Sequence, residues 1–243
     1  MRSSPNKPDS FHAEFDLLAD EYQLNLTNAI AITGETPGFF SEYKVADCLK
    51  MVKVSNAPAD TILDFGSGIG SSIPFFRKYF PLSTISCAEV SERSIEISKS
   101  RFPGNETYLQ VKDTIPIPSN SIDVVFTACV FHHIPKQEHL YWIGELKRIL
   151  KPGGILFIYE HNPMNPLTVR AVKRSPLDVN AQLIAANEFL QNIRMVKFVR
   201  AQVSYKLFFP KQLSRLRFLE PSLEKLCFGA QYRLSCYKSH TIT

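Results

Sequence analysis

The chain has 243 residues, 44% hydrophobic and 21% charged, the balance of a globular protein long enough to bury a substantial core. No apolar run approaches the roughly 20 residues that span a bilayer. Five scattered cysteines (Cys48, Cys87, Cys129, Cys227, Cys236), with no C-x-x-C and no tight cluster with histidine, read as reduced thiols and argue against a disulfide framework or a zinc site.

Residues 1–10 are polar and contain proline, with no apolar stretch of a secretory signal. They read as a flexible tail on a cytoplasmic protein. Phe11, Phe15, Leu18, Tyr22, Leu26 and Ile30 recur at spacings of three and four, as on an amphipathic helix or a broken pair of helices. Phe39–Val54 repeats the pattern with Phe40, Tyr43, Val45, Ala46 and Leu49. Residues 11–56 are therefore expected to form a helical cap, and 57–243 one further domain with no internal repeat.

Thr61–Phe65 is short, partly β-branched and bounded by Pro58 and Gly66, so it predicts a buried strand. Asp64-Phe65-Gly66-Ser67-Gly68-Ile69-Gly70 follows its apolar lead, and Ile73, Phe75, Phe76 and Tyr79 continue at roughly helical spacing. Strand, glycine turn and helix make the first half of a nucleotide-binding βαβ unit. The turn lacks the G-x-G-x-x-G spacing, because Ser71 stands three residues after Gly68.

Thr84–Val90 predicts a second strand ending on Glu89, where a Rossmann-type domain binds ribose hydroxyls. Ser91 is placed to cap the next helix. Glu106–Val111 predicts a third strand, followed by Asp113 and Thr114. Ser121–Thr127 predicts a fourth, buried on both faces. The loop after it carries Cys129, His132 and His133 at the strand end, the side of a parallel sheet where ligands sit. Lys136–Leu150 predicts a helix with Leu140, Ile143, Leu146 and Ile149 inward, stopped by Lys151-Pro152-Gly153-Gly154. Ile155–Tyr159 predicts the fifth strand, and Glu160–Thr168 a polar loop stiffened by two prolines. A helix over Leu183–Ile193, a strand within Met195–Phe209, a Pro221-broken helix over Lys211–Phe228 and a strand over Gly229–Lys238 complete the chain.

Glycine turn, Glu89, Asp113, His-His loop and Glu145-Leu146-Lys147-Arg148-Ile149-Leu150-Lys151-Pro152-Gly153-Gly154 occur in an order that resembles class I S-adenosylmethionine (SAM)-dependent methyltransferases. The match covers about residues 61–160 and is similar to the type 11/12 branch, in its small-molecule and glycan-associated subset. The resemblance implies an α/β, Rossmann-like, doubly wound, mostly parallel seven-stranded sheet with an antiparallel last strand. It implies SAM as cofactor. Asp64 would hold the methionine amino group, and Gly66, Ser67, Gly68 and Gly70 would pass under methionine and ribose. Glu89, with Val90 beside it, would take the ribose, and Asp113 and Thr114 the adenine. Cys129 belongs with the cofactor site, and Tyr22 and Phe39 with a lid over it.

Methyl transfer to a hydroxyl needs a proton acceptor, for which His133, His132, Glu160 and His161 stand on strand ends. His12, His139 and His240 read as surface residues. Two other classes compete. An NAD-dependent oxidoreductase would also use Glu89, but the early third glycine and the lack of a Tyr-x-x-x-Lys pair oppose it. A catalytically silent SAM-binding module would keep the same motifs. The expected acceptor is a small molecule, sugar-linked or lipid-linked, with no nucleic acid.

The net charge of +5 conceals an asymmetry: residues 170–243 hold 13 Lys+Arg against 4 Asp+Glu. Lys206, Lys211, Arg215 and Arg217 lie beside Leu213, Leu216, Leu219, Leu223 and Leu226. Cations next to apolar side chains suit an anionic acceptor or peripheral membrane contact.

Overall fold

Thr61–Phe65 (β1) forms the middle of a sheet because its apolar residues serve both faces, and everything after Thr61 is buried. The computed structural model describes residues 22–240. The sheet has seven strands among them, in the order β3-β2-β1-β4-β5-β7-β6. These are β2 (Thr84–Glu89), β3 (Thr107–Gln110), β4 (Ile122–Ala128), β5 (Leu150–His161), β6 (Val199–Lys206) and β7 (Gln231–Tyr237). β1 pairs in parallel with both β2 and β4, so Asp64 stands beside Cys87 on one side and Phe126 on the other. The chain reverses its direction of winding at β1, which opens a crevice at the strand ends there. β7 is antiparallel to β5 and to β6. The expected Rossmann-like architecture is therefore present.

Helices α1 (Tyr22–Ile30) and α2 (Pro37–Ser55) precede β1. α2 starts where Thr36 accepts a hydrogen bond from the Phe39 N–H and Pro37 fills the first turn. α3 (Ile73–Tyr79) follows the glycine turn, and α4 (Glu92–Arg101) is capped by Ser91 as the sequence predicts. Val45, Cys48, Ile73 and Phe76 pack on Ile62, Val124, Phe126 and Tyr159. The alternate strand residues Leu63, Val125, Leu156 and Ile158 face the opposite way, toward α5 (His139–Ile149) and, between the Pro166–Val172 helix (α6) and β6, α7 (Ala186–Met195).

Three local expectations are corrected. α5 starts three residues late, because Lys136–Glu138 forms a 3₁₀ turn. Its phase shifts accordingly, leaving Leu140 39% exposed and turning His139 and Trp142 inward. His139 is thus a core residue, its Nε2 donating to the carbonyls of Phe131 and Ile134. β5 starts at Leu150, so the Lys-Pro-Gly-Gly turn lies inside the ladder at a register shift. Gly153 takes a left-handed φ of 81° there, and its N–H donates to the Lys238 carbonyl. Lys211–Leu219 is 3₁₀ rather than α-helical and runs into the short helix α8 (Glu220–Leu223). That geometry leaves Leu213, Leu216, Phe218 and Leu219 exposed instead of packed on the sheet.

Asp47 of α2 ties the N-terminal helical layer to the far strands. Its carboxylate accepts from Tyr159 Oη at 2.9 Å, Lys206 Nζ at 2.9 Å and Arg233 Nη1 at 2.7 Å. Part of the basic excess of the C-terminal third is thus an internal feature of the fold. The tail 1–10, His12, and the stretch Phe15-Asp16-x-x-Ala19 lie outside the described residues, as does the side chain of Tyr22.

Candidate active site

The three glycines of the turn all have left-handed φ, at 73°, 51° and 77° for Gly66, Gly68 and Gly70. Their surroundings differ. A Cβ on Gly66 would lie 2.3 Å from Val130 Cγ2, and one on Gly70 2.2 Å from Ser98 Oγ, whereas one on Gly68 would meet nothing within 4 Å. Gly66 and Gly70 permit close packing. Gly68 leaves backbone open to a cavity of about 1330 Å³ that runs along the strand ends. Gly66, Ser67 and Gly68 line this cavity; Gly70 does not, because it packs against α4.

Asp64 and Glu89 stand at the ends of β1 and β2. Glu89 is oriented by backbone: Oε1 accepts from the N–H groups of Val90 and Ser91 at 2.8 and 3.1 Å, and Oε2 from that of Gly68 at 2.8 Å. Asp64 is 2% exposed, and its Oδ2 is fully enclosed with no hydrogen-bond partner. Burial and the Glu89 charge push its carboxyl up to about 7, against the pull of the Lys44 ammonium. A buried carboxylate oxygen without a partner is costly and calls for a donor from a ligand. Asp113 lines the cavity from beyond β3, with Tyr141 Oη donating to its carbonyl at 2.6 Å. Thr114 is exposed and does not line the cavity.

The other end of the cavity lies beyond β4 and β5. Cys129 has a left-handed φ of 59°. Its Sγ lies 3.6 Å from Lys44 Nζ and 3.9 Å from Gln231 Nε2. Burial opposes the thiolate, but Lys44 and His161 outweigh it and bring the thiol down to about 7. Glu160 and His132 are both almost fully buried and pair through Nδ1 at 2.6 Å. Glu160 also accepts from the N–H groups of Val130 and Phe131, at 3.0 and 2.8 Å. His132 Nε2 faces Asp178 Oδ1 at 3.3 Å. Burial favours neutral His132, but these two carboxylates hold its proton and push it up to about 10. Glu160 is held low by the same pairing despite its burial. Both are therefore unsuited as proton acceptors: Glu160 sits behind the cavity wall, and both His132 ring nitrogens are engaged. His133 Nε2 lies 3.6 Å from Asp178 Oδ1, and burial together with the His132 charge brings His133 down to about 3, a neutral ring at physiological pH. His133 and His161 line the cavity, as does Phe39.

Lys44, Asp178 and Gln231 are cavity residues that the sequence reading omits. Lys44 had a signal: it falls four residues from both Phe40 and Cys48, a cation on an apolar stripe, which implies an internal partner. Asp178, on a 3₁₀ turn at Pro176–Asp178, had none.

Residues 63–158 match a family model described as a methyltransferase domain. The mouse tRNA N(3)-cytidine methyltransferase is 27% identical over 129 residues, 49% of this chain and 33% of its own. The 2-methyl-6-phytyl-1,4-hydroquinone methyltransferase of Synechocystis is 29% identical over 158 residues, 60% of this chain and 49% of its own. The chain thus spans between a third and a half of these relatives. Phosphoethanolamine N-methyltransferase 2 of Haemonchus contortus, solved with SAM, shares the fold at a TM-score of 0.66 and 15% identity, over 97% of this chain and 61% of that one. The sheet order agrees with these matches: residues 63–158 match a methyltransferase domain, set in a fold that the chain shares with a SAM-bound methyltransferase.

Proposed function

We propose that the chain transfers the methyl group of SAM to a small acceptor bound beyond β4 and β5. The observation that carries this reading is Asp64 Oδ2, buried and unpartnered where the open glycine turn meets the cavity. An ammonium donor from the methionine end of SAM satisfies it. Glu89 keeps lone-pair capacity for ribose hydroxyls, Gly68 leaves room for the ligand, and Asp113 stands at the adenine end. SAM supplies an electrophilic methyl on a sulfonium. The protein's work is to hold an acceptor in line with it and exclude water. His133 and His161 are the imidazoles on the acceptor side that contact it or take its proton. Calorimetry with SAM and with NADH tests the cofactor: heat with SAM alone supports the reading, and heat with NADH alone overturns it.

His133→Ala is expected to lower kcat at least about 10²-fold while leaving SAM affinity within about twofold. A matched loss of SAM binding would move His133 to the cofactor side.

The relatives named above act on unlike acceptors, so the acceptor is argued from this chain alone. We favour an anionic, lipid-linked or sugar-linked one. Leu213, Leu216, Phe218 and Leu219 are exposed beside Phe208–Pro210, which line the cavity, and Lys211 and Arg215 lie among them. Arg217 is not available to guide an anion: its Nη2 pairs with Glu35 at 2.7 Å and its guanidinium stacks over Phe39. Among the described residues no helix is long and apolar enough to cross a membrane. Flotation with vesicles of anionic lipid is expected to carry the protein at low salt, less so at high salt, and not after Lys211→Glu with Arg215→Glu. Each cation contributes about 1 kcal/mol near such a surface. A wild-type protein that stays in solution would remove the membrane element.

A further inference from the structure

We propose that His132, His133 and Asp178 hold a divalent transition-metal ion such as zinc at the acceptor end of the cavity. The ion's use in catalysis rests on the methyltransferase reading; its binding does not. One ligand atom from each of the three residues lies within 4.8 Å of the others. Two of the edges, from Asp178 Oδ1 to His132 Nε2 and to His133 Nε2, are 3.3 and 3.6 Å. An ion about 2.0–2.2 Å from each donor sets neighbouring donors roughly 3–3.5 Å apart, so little rearrangement is needed.

The support for these donors is already built. Glu160 takes His132 by Nδ1 at 2.6 Å, which fixes the ring and leaves Nε2 as the atom aimed at Asp178. A carboxylate behind a histidine ligand is the usual outer support of a metal-binding imidazole. Two backbone N–H groups fix Glu160 in turn. The segments are also tied to each other, since the Gln182 N–H donates to the His132 carbonyl at 2.7 Å. On binding, the ion replaces the proton shared between His132 Nε2 and Asp178, and that proton leaves to solvent.

Two imidazoles and one carboxylate favour zinc, cobalt, iron or manganese over calcium or magnesium, and leave coordination positions open to a ligand in the cavity. An acceptor hydroxyl bound there would lose its proton more readily. With His133 engaged, His161, whose ring lies 5.2 Å from that of His132, is the imidazole left to take it.

The test is titration of the chelator-stripped full chain with Co²⁺, read by visible d–d absorption, and competition by Zn²⁺. One equivalent is expected to bind. His133→Ala and Asp178→Ala should weaken it at least tenfold. Glu160→Gln should weaken it by about 10- to 100-fold, because the amide donates to Nδ1 and forces the proton onto Nε2, which then cannot ligate. SAM affinity and melting temperature, followed in parallel, separate loss of the ion from loss of the fold. No cobalt binding, or binding equally tight in His133→Ala and Asp178→Ala, overturns the site. Failure of the wild-type chain to bind SAM overturns the methyltransferase reading instead, and the cobalt titration still decides the ion.

Discussion

Asp64→Asn is expected to raise the melting temperature of the ligand-free protein at pH 8 while removing most of its affinity for SAM. The folded state holds the Asp64 proton up to about pH 7, through burial and the neighbouring Glu89 charge. The unfolded chain releases it near pH 4. Between those values the folded state binds the extra proton, so stability falls as pH rises from about 4 to about 7 and then levels off. Three units correspond to roughly 4 kcal/mol at most, and asparagine relieves that cost without changing side-chain size. A gain on the order of 5 °C at pH 8, absent at pH 4, is the expected reading by calorimetry. The same change removes a charged acceptor worth about 1.5–3 kcal/mol, or about 10- to 150-fold in SAM affinity. Wild-type affinity should rise between pH 6 and 8 as Asp64 ionises to meet the ammonium. A variant destabilised at pH 8, or one that binds SAM like its parent, would show that this carboxylate plays another part.

The glycine turn gives the second large effect, and the three positions should separate. Gly66→Ala and Gly70→Ala place a Cβ within 2.3 Å of Val130 and 2.2 Å of Ser98 respectively, on left-handed backbone. Strain and overpacking together cost on the order of 3 kcal/mol, a fall of about 10 °C in a chain of this length. Gly68→Ala carries only the strain, about 1–2 kcal/mol, since nothing lies within 4 Å of its Cβ. Its methyl instead enters the cavity, so SAM affinity should drop far more than stability. Equal melting temperatures for all three variants would contradict this division between packing and binding.

Much of the architecture was legible because its determinants are local. β1, β2 and β4 announce themselves by short apolar runs, the first two with an acid and a glycine or a lone acid at the C-terminal end, and position along a parallel strand fixes which end faces the crevice. The placing of Asp64, Glu89, Cys129 and His133 at the cavity follows from that. His139 was misread because a 3₁₀ turn of three residues rotated α5, and turn type is weakly encoded by Lys136-Gln137-Glu138. The roles of Glu160 and His132 depend on a pairing across 28 residues, and Asp178 arrives from a loop with no periodicity at all. Thr114 lies one residue past the last position that turns toward the cavity. Such facts are set by tertiary placement, which no local pattern carries.

The anchoring of α2 has a consequence for how ligands enter and leave. Asp47 joins this helix to β5, β6 and β7 through three hydrogen bonds, two of them to buried cations. Separating those charges would cost several kcal/mol, so the helix stays docked in all but a small fraction of the folded molecules. At the N-terminal end of the same helix the closure is slight. Arg217 crosses from the 3₁₀ segment to Glu35 and rests on Phe39 at 4.7 Å. A partly solvated latch of this kind yields for about 1 kcal/mol. Exchange of a nucleoside-sized molecule would then proceed between Glu35 and Arg217, past Phe208–Pro210, and product escape would wait on this one partly covered ion pair while the crevice beneath it stays rigid.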